Sequence, residues 1–327
     1  MGRVRVHTDR FGERLIILAS VGLTAVASLL LAAAPNYAVF AVMAVVLGAG
    51  AGLHYSVATS FLSRHFERVG RAIGLHVSGG PIAGLLAPVA AAAVGVRYGW
   101  RPAILLGAIV AVPVFVLFWL RIKSTDPAKP ETAMRSRFEL GPLRTLLARP
   151  AIRYTTVMAV GGAFCWQATA SFLPAFLIEY HGQSAAMASA LFSLYFVVHG
   201  VSQPFLGGLS DRVGRDLVAV MTFGTGIVGY GLLITGSGVL VIAAIVPIGI
   251  AMSWGAPVQS RFIDNLGPDE RATGFGLVRT VYMTIGASGS VVVGTLSDFA
   301  GWEFAFGALV VVLTFETLLA AFLFLRR

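Results

Sequence analysis

Residues 207–215 read Gly-Gly-Leu-Ser-Asp-Arg-Val-Gly-Arg and connect two long apolar runs, 185–207 and 217–236. Each run is long enough to cross the hydrocarbon core of a bilayer as a helix, which takes about 20 apolar residues. Because so few residues join them, the two helices are expected to be antiparallel neighbours. The stretch therefore predicts a tight, charged turn at a membrane surface.

Three short motifs occur twice in the chain, at an offset of 200 or 202 residues. They are Asp-Arg-Phe-Gly-Glu-Arg at 9–14 with Asp-Arg-Val-Gly-Arg-Asp at 211–216, Arg-Ala-Ile-Gly at 71–74 with Arg-Ala-Thr-Gly at 271–274, and Gly99-Trp100 with Gly301-Trp302. Each pair has the same place relative to the apolar runs. Parallel repeats of this kind are typical of transporters built from two halves of equal topology.

The composition agrees with a membrane protein. Of the 327 residues, 57% are hydrophobic and 12% are charged, against roughly 45–50% and 25% in soluble domains. The net charge of +9 is spread over short loops, which argues against a nucleic-acid surface. The single cysteine, Cys165, allows no internal disulfide. The chain has neither a phosphate-binding loop nor an H-E-x-x-H pair, so we expect no enzyme, no cofactor and no metal.

Long apolar runs predict ten membrane spans. They are approximately 14–34, 38–62, 72–95, 101–121, 153–178, 185–207, 217–236, 239–260, 272–296 and 303–325. The stretch 122–152 is rich in basic residues and proline and is interpreted as a cytoplasmic linker with a short amphipathic piece. The expected domains are therefore a half-bundle at 1–121, the linker at 122–152, and a six-helix bundle at 153–327.

The basic residues predict the orientation. Of 24 Lys and Arg, 21 fall on one side of this topology, only Arg97 and Arg101 fall on the other, and Arg279 lies within a span. By the positive-inside rule, both termini are cytoplasmic in a multi-pass protein of the cell membrane. The basic, then apolar, N-terminal region imitates a signal peptide. Its acidic residues Asp9 and Glu13 and its 17-residue apolar run favour a first span.

The turn at 207–215 resembles the second-half copy of the signature loop of the major facilitator superfamily. Residues 9–14 resemble the tail of the first-half copy, and residues 68–84 resemble the family's fifth helix. The family has twelve helices, so the resemblance implies that the first two are missing and that the ten spans are helices three to twelve. The implied fold is all-α, with two bundles of four and six helices around a cavity that opens alternately to each side. A truncated, non-transporting membrane fragment is the alternative of another class.

The resemblance also implies a conformational lock at the signature loops. The residues concerned are Gly207, Asp211, Gly214 and Arg215 in the second half, and Asp9 and Gly12 in the first. A carboxylate at this place is suited to sit against the N-terminus of another helix, where the dipole favours an anion. The alternative is a plain surface turn held by a salt bridge.

Polar and aromatic side chains at membrane depth are candidates for the substrate cavity, because burying them in a bilayer is costly. These are His54, Tyr55, Trp166, Gln167, His199, Trp254, Arg279 and Tyr282. Packing roles for the histidines and tryptophans, and snorkelling of Arg279 to the cytoplasmic surface, are the alternatives. Glu316 also lies near mid-depth, on a helix that the family places at the periphery, where proton coupling is a further hypothesis.

Two family patterns point to different substrates. Gly80-Pro81-x-x-Gly84 resembles part of the drug-antiporter motif, but Ala44 stands where those antiporters carry an arginine. Ala72-x-Gly74 and Ser78-Gly79, together with Arg279, are similar to the monocarboxylate and oxalate carriers. We therefore favour a small organic anion such as a carboxylate, with coupling to a proton, another ion or exchange. A drug or metabolite efflux antiporter is the alternative. The expected partners are that substrate and the lipid bilayer, the protein is expected to be a monomer, and no nucleic acid is expected.

Overall fold

The computed structural model describes residues 13–65, 69–123, 141–267 and 271–326, and these residues form an all-helical protein. In chain order the α-helices are α1 (Glu13–Ala32), α2 (Tyr37–His65), α3 (Val69–Tyr98), α4 (Trp100–Arg121), α5 (Gly141–Ala148), α6 (Pro150–Glu179), α7 (Ala185–Val213), α8 (Arg215–Thr235), α9 (Val239–Ala251), α10 (Gly255–Asp264), α11 (Arg271–Gly286), α12 (Ser288–Ala300) and α13 (Trp302–Leu325). A short 3₁₀ turn, Met252–Trp254, joins α9 to α10.

The helices have the length and composition of membrane spans. Within the described ranges, nine helical segments are long and apolar enough to cross a bilayer, two of them formed by the joined helices α9–α10 and α11–α12. The predicted span 72–95 lies in α3, of which Ile82–Tyr98 is a shorter apolar helix. The chain is therefore a polytopic helical membrane protein, as its composition predicted.

The chain divides into two compact units, Met1–Ala83 with Val89–Glu139, and Gly84–Pro88 with Leu140–Arg327. In the first unit, α1 packs against α2 and α4. Ser20 Oγ donates to the carbonyl of Gly50 at 2.8 Å, which ties α1 to α2 inside the apolar contact. Arg14 donates to the carbonyls of Trp119 and Ile122, and so satisfies acceptors that the C-terminus of α4 leaves open.

The second unit has the larger core. Its buried residues come from α5 to α13 and include the fully buried aromatic side chains Phe176, Tyr195, Phe223, Tyr230, Phe262, Tyr282 and Phe306. Helix α6 packs against α7, α11, α12 and α13, while α8 packs against α9 and α13. Helix α6 therefore touches most of the unit and positions the residues described below.

Two predicted spans, 239–260 and 272–296, are not single helices. The first is interrupted by the 3₁₀ turn Met252–Trp254, and the second breaks at Ala287, between α11 and α12. The second break places Gly286 and Gly289 directly on the backbone of α6, where an added Cβ would overlap Ala163 and Phe164. Apolar periodicity does not reveal such breaks, because both flanking segments remain helical and apolar.

The repeated Gly-Trp pair has the same backbone conformation at both sites. Gly99 has φ 87° and ψ 170°, and Gly301 has φ 87° and ψ 167°. Each glycine precedes the first residue of a helix, Trp100 in α4 and Trp302 in α13. A positive φ of this size favours glycine over any residue with a side chain. The sequence repeat therefore marks a repeated turn geometry.

Candidate functional site

A cluster of charged and hydroxyl groups forms where the turn between α7 and α8 meets the end of α10. It consists of Ser210, Asp211 and Arg215 from the turn and Asp264 from α10, and is called the turn cluster below. Arg215 Nε donates to Asp264 Oδ2 at 2.9 Å, and its Nη1 donates to Ser210 Oγ at 2.8 Å and to Asp211. The Asp211 side chain is 65% exposed. One arginine at the start of α8 thus joins the ends of α7 and α10.

The backbone conformation of this turn favours glycine at position 214. Gly214 has φ 100°, ends α7 and immediately precedes α8. Its N–H donates to the carbonyl of Ser210 at 3.2 Å, while Ser210 Oγ donates to the carbonyl of Gly207 at 2.8 Å. The structure therefore brings together the four predicted lock residues of the second half. Asp9 and Gly12, predicted for the first half, lie outside the described residues.

A buried ion pair lies next to the turn cluster. Arg261 Nε on α10 donates to Asp216 Oδ1 on α8 at 2.7 Å, and these side chains are only 7% and 1% exposed. Nη1 of the same arginine donates to the carbonyl of Ala151 at 3.0 Å and to the hydroxyl of Thr155, both on α6. The pair therefore fastens three helices together at one end of the second unit.

Sequence reasoning did not single out this pair. Arg261 counted only as one of the basic residues on the cytoplasmic side, and Asp216 only as the end of a repeated motif. The one available signal was that each charge directly adjoins an apolar run. That signal does not say which charges meet, because Asp216 and Arg261 are 45 residues apart in the chain.

Trp254 and Tyr282, two predicted cavity residues, meet in the core of the second unit. Their rings contact edge to face with centroids 6.0 Å apart, and Tyr282 stacks on Phe262 at 6.2 Å. Trp254 also lies over Gly162 of α6, where an added Cβ would overlap the indole ring. Both aromatic residues are almost fully buried. The glycine thus lets the 3₁₀ turn approach α6 closely.

Arg279 lies one helical turn before Tyr282 on α11, and the two side chains interact electrostatically. Its side chain is half-buried. Its position eight residues beyond Arg271 corresponds to about 12 Å along the helix. The structure therefore places a guanidinium beside the aromatic group of Trp254 and Tyr282.

His199 is joined to the residue preceding Trp254. Ser253 Oγ donates to the carbonyl of His199 at 3.0 Å and lies 3.4 Å from its Nδ1. The imidazole stacks on Tyr195 with ring centroids 6.2 Å apart. His199 on α7 is thus linked through Ser253 to the 3₁₀ turn that carries Trp254.

Trp166 and Gln167 are half-buried on α6. Trp166 packs against the core of the second unit, which is the packing role that the sequence left open for it. The contacts described above join three other predicted cavity residues to Trp254, directly or through a neighbouring residue. This group consists of His199, Trp254, Arg279 and Tyr282, and is called the inner cluster below.

His54 belongs to the first unit. It lines a cavity of about 240 Å³ whose other walls are apolar side chains of α1, α2 and α4, among them Val21, Phe61 and Phe118. Tyr55 follows it in α2. All the residues that line the cavity around His54 belong to the first unit, and none of them belongs to the inner cluster. Among the described residues, no three His, Cys, Asp or Glu side chains are grouped so as to hold a metal ion.

Comparison with known proteins gives one family. The model of the Major Facilitator Superfamily matches residues 4–185 and 158–327. The alpha-ketoglutarate permease of Escherichia coli (strain K12) is 27% identical over 241 residues, covering 66% of this chain and 53% of the permease. The probable nitrate/nitrite antiporter NarK1 of Thermus thermophilus is 26% identical over 251 residues, covering 72% of this chain and 55% of the antiporter. The chain thus spans about half the length of the curated relatives it matches.

Solved structures show the same fold. An inward-facing bacterial homolog of the human lysosomal transporter Spinster has a TM-score of 0.82 at 17% identity, covering 98% of this chain and 85% of its own. A mutant of the nucleoside transporter NupG has a TM-score of 0.83 at 15% identity, covering 98% and 86%. The human organic anion transporter MFSD10 has a TM-score of 0.64 at 17% identity, covering 98% and 79%. At 15–17% sequence identity, these similarities show a shared fold only.

Proposed function

The chain belongs to the Major Facilitator Superfamily of membrane transporters, and from that membership we propose that it carries a small organic anion, such as a carboxylate, by alternating access. Transport is driven by a coupled ion or by exchange. Both proteins matched among the curated relatives are named for anions, alpha-ketoglutarate in one and nitrate or nitrite in the other. The names of these relatives support the proposed class of substrate. The proposed binding residue, Arg279, is inferred from its position in this chain.

The main observation that supports the proposal is the position of Arg279 within a membrane span. It is a guanidinium within the apolar segment Gly274–Ala300, one turn from the buried Tyr282, whose ring contacts Trp254. Arginine pairs with carboxylates through two parallel hydrogen bonds, and such charge-assisted bonds are strong in a low-dielectric site. In the proposed role, Arg279 binds the carboxylate and the neighbouring aromatic residues contact the carbon skeleton.

The turn cluster is proposed to be the conformational lock. Its ion pairs connect the ends of α7, α8 and α10 through Arg215, whose Asp264 bond is 2.9 Å long. Because Asp211 is largely exposed, its pair with Arg215 contributes little to stability and is easily broken and remade. Such a contact is suited to open and close during a transport cycle. Asp9 and Gly12 are proposed to contribute in the same way in the first half.

The proposed orientation places both termini in the cytoplasm, because 21 of 24 basic residues fall on the side of the termini. The domains predicted from the sequence, 1–121 and 153–327 joined by the linker 122–152, are proposed to be the two moving halves. The protein is proposed to act as a monomer in the cell membrane. His54, Tyr55, Trp166 and Gln167 remain proposed cavity residues alongside the inner cluster.

Uptake into proteoliposomes tests the function. We expect saturable, gradient-dependent flux of a radiolabelled 2-oxo dicarboxylate by the purified chain. Arg279→Gln should raise the half-saturation concentration by at least about tenfold, as expected when a charged partner of the substrate is lost. Arg326→Gln, which removes an exposed cation at the end of α13, is the matched control and should behave as the parent chain.

Two results would contradict the proposal. One is absence of dicarboxylate flux from correctly inserted protein, which favours a non-transporting fragment. The other is normal half-saturation in Arg279→Gln, which removes the anion-binding role of this arginine. Uptake of a lipophilic amine in place of the dicarboxylate would instead favour the efflux-antiporter alternative.

A further inference from the structure

A separate cavity lies in the second unit, and its walls include no residue of the turn cluster or the inner cluster. It has a volume of about 450 Å³ and is formed between α6, α11 and α13, which is within the range of small-molecule sites. Its walls are Thr156, Val157, Val160, Gly161, Phe164, Ile285, Val312, Phe315 and Glu316. All but two of these residues are apolar or glycine. Of these two, Thr156 donates its hydroxyl to the carbonyl of Ile152, and Glu316 is the one ionisable residue in the wall.

Glu316 is the unusual member of this wall. It is 2% exposed, and its Oε2 is buried without a hydrogen-bond partner among the described residues. The carboxyl group lies against the backbone of α6 at Gly161, where an added Cβ would overlap Oε1. Glycine at 161 therefore leaves the slot that the carboxyl group occupies. A buried polar group without a partner in a spanning helix is costly and points to a function.

The cations of the neighbouring helices are too distant along their axes to neutralise this carboxylate. Arg326 on α13 is ten residues from Glu316, about 15 Å along the helix, and Arg153 on α6 is eight residues from Gly161, about 12 Å. Arg279 is six residues from Ile285, the α11 residue that lines the cavity, or about 9 Å along the helix, and it interacts with Tyr282. On α6, the thiol of Cys165 interacts electrostatically with Glu316, and a thiol supplies no positive charge. Within the described part of these three helices, the carboxylate thus lacks a counter-charge, and a bound ligand can supply one.

The mouth of the cavity is apolar and open. Val157, Ile285 and Phe315 line the cavity and are exposed on the helix surfaces. Since α6, α11 and α13 belong to membrane spans, an exposed apolar rim formed by these three residues is expected to face lipid. A ligand that enters here arrives through the hydrocarbon of the bilayer and must itself be largely apolar.

We propose that this cavity binds a lipophilic monovalent organic cation, with Glu316 as the carboxylate that holds the positive charge. The apolar rim contacts the body of the ligand, and the carboxylate at the α6 contact supplies the single counter-charge. A quaternary ammonium or phosphonium ion combines both properties. The site is independent of the proposed anion transport, since it uses none of the residues assigned to that function.

Equilibrium binding of radiolabelled tetraphenylphosphonium to the purified chain in detergent tests the site. Saturable binding is expected, and Glu316→Gln should weaken it by at least about tenfold because the charge partner is lost while the shape is kept. Glu303→Gln removes an exposed carboxylate from the same helix and should leave binding unchanged. Equal affinity in Glu316→Gln, or no saturable binding in the parent chain, would overturn the proposal.

A second measurement needs no variant and so does not depend on how Glu316→Gln folds. Dicyclohexylcarbodiimide modifies carboxyl groups in apolar membrane sites, and mass spectrometry of peptides locates the adduct. We expect modification at Glu316 that saturating tetraphenylphosphonium suppresses. Modification that is unaffected by the cation would show that the cation does not occupy this cavity. Because binding is measured without transport, a failure here is distinct from a failure of dicarboxylate uptake.

Discussion

Arg261 donates from Nε to Oδ1 of Asp216 at 2.7 Å, and both side chains are almost completely withdrawn from solvent. The same guanidinium also bonds α6 at Ala151 and Thr155. A few residues away, Arg215 bonds Asp264 and the exposed Asp211 at the surface. Two arginines near one end of the second unit therefore have different tasks. Arg261 holds three helices together, whereas Arg215 forms contacts that separate at little cost.

Breaking the buried pair should destabilise the protein strongly. Asp216→Asn and Arg261→Gln are each expected to lower the free energy of unfolding by about 3–5 kcal/mol, because each leaves a buried charge without its partner. Thermal unfolding in detergent measures the loss. Asp264→Asn removes an exposed ion-pair partner and should change stability by at most about 1 kcal/mol. Equal stability of all three variants would contradict the structural role of Arg261.

Asp211→Asn should separate transport from stability. Since the Asp211 side chain is 65% exposed, its surface pair is worth about 1 kcal/mol or less, and the variant should insert and melt like the parent chain. If the turn cluster is a lock, substrate flux in proteoliposomes is nevertheless lost. Asp298→Asn, at an exposed carboxylate on α12, should transport normally. Unimpaired flux in Asp211→Asn would contradict the lock role and indicate that the turn cluster is a plain surface turn.

Gly214→Ala should be destabilising for a reason confined to the backbone. Its φ of 100° is unfavourable for an L-residue, although an added Cβ has open space around it. With ψ at 151°, this backbone conformation is almost restricted to glycine, so we expect a loss of about 1–3 kcal/mol in the free energy of unfolding. Gly208→Ala, in helix α7 and also with open space, should be neutral or slightly stabilising. Similar melting of the two variants would argue against strain at Gly214.

Gly162→Ala should disturb the inner cluster. The new methyl group would overlap the indole of Trp254, so either the ring or α6 must move, at a typical cost of about 1–3 kcal/mol. A changed tryptophan fluorescence spectrum and a lower melting temperature are the expected signs. In Gly231→Ala, at a helical glycine of α8 with open space, neither should change. If Gly162→Ala leaves fluorescence and melting unaltered, the close approach of Trp254 to α6 is not a constraint.

Much of the architecture could be predicted because the bilayer imposes simple rules. A helix must be long and apolar to cross, and nine helical segments of the described ranges meet that requirement. The Gly99-Trp100 and Gly301-Trp302 repeat shows how local this information is. The sequence shows this pair only as a repeat, and the structure adds that both glycines have the same φ of 87°.

The order of amino acids was thus enough to predict the all-helical membrane fold, the family and the residues of the α7–α8 turn, since each depends on neighbours along the chain. The folded chain was needed to show that Arg261 meets Asp216, that Trp254 lies on Gly162, and that Glu316 fits the slot at Gly161. These contacts join helices far apart in sequence, and hydrophobic pattern specifies which face of a helix is apolar but not which neighbour it meets. Close packing between helices depends instead on shape and on single glycine positions. For a charged side chain, that packing decides whether it is buried with a partner, as Arg261 is, or with one oxygen left unbonded, as in Glu316.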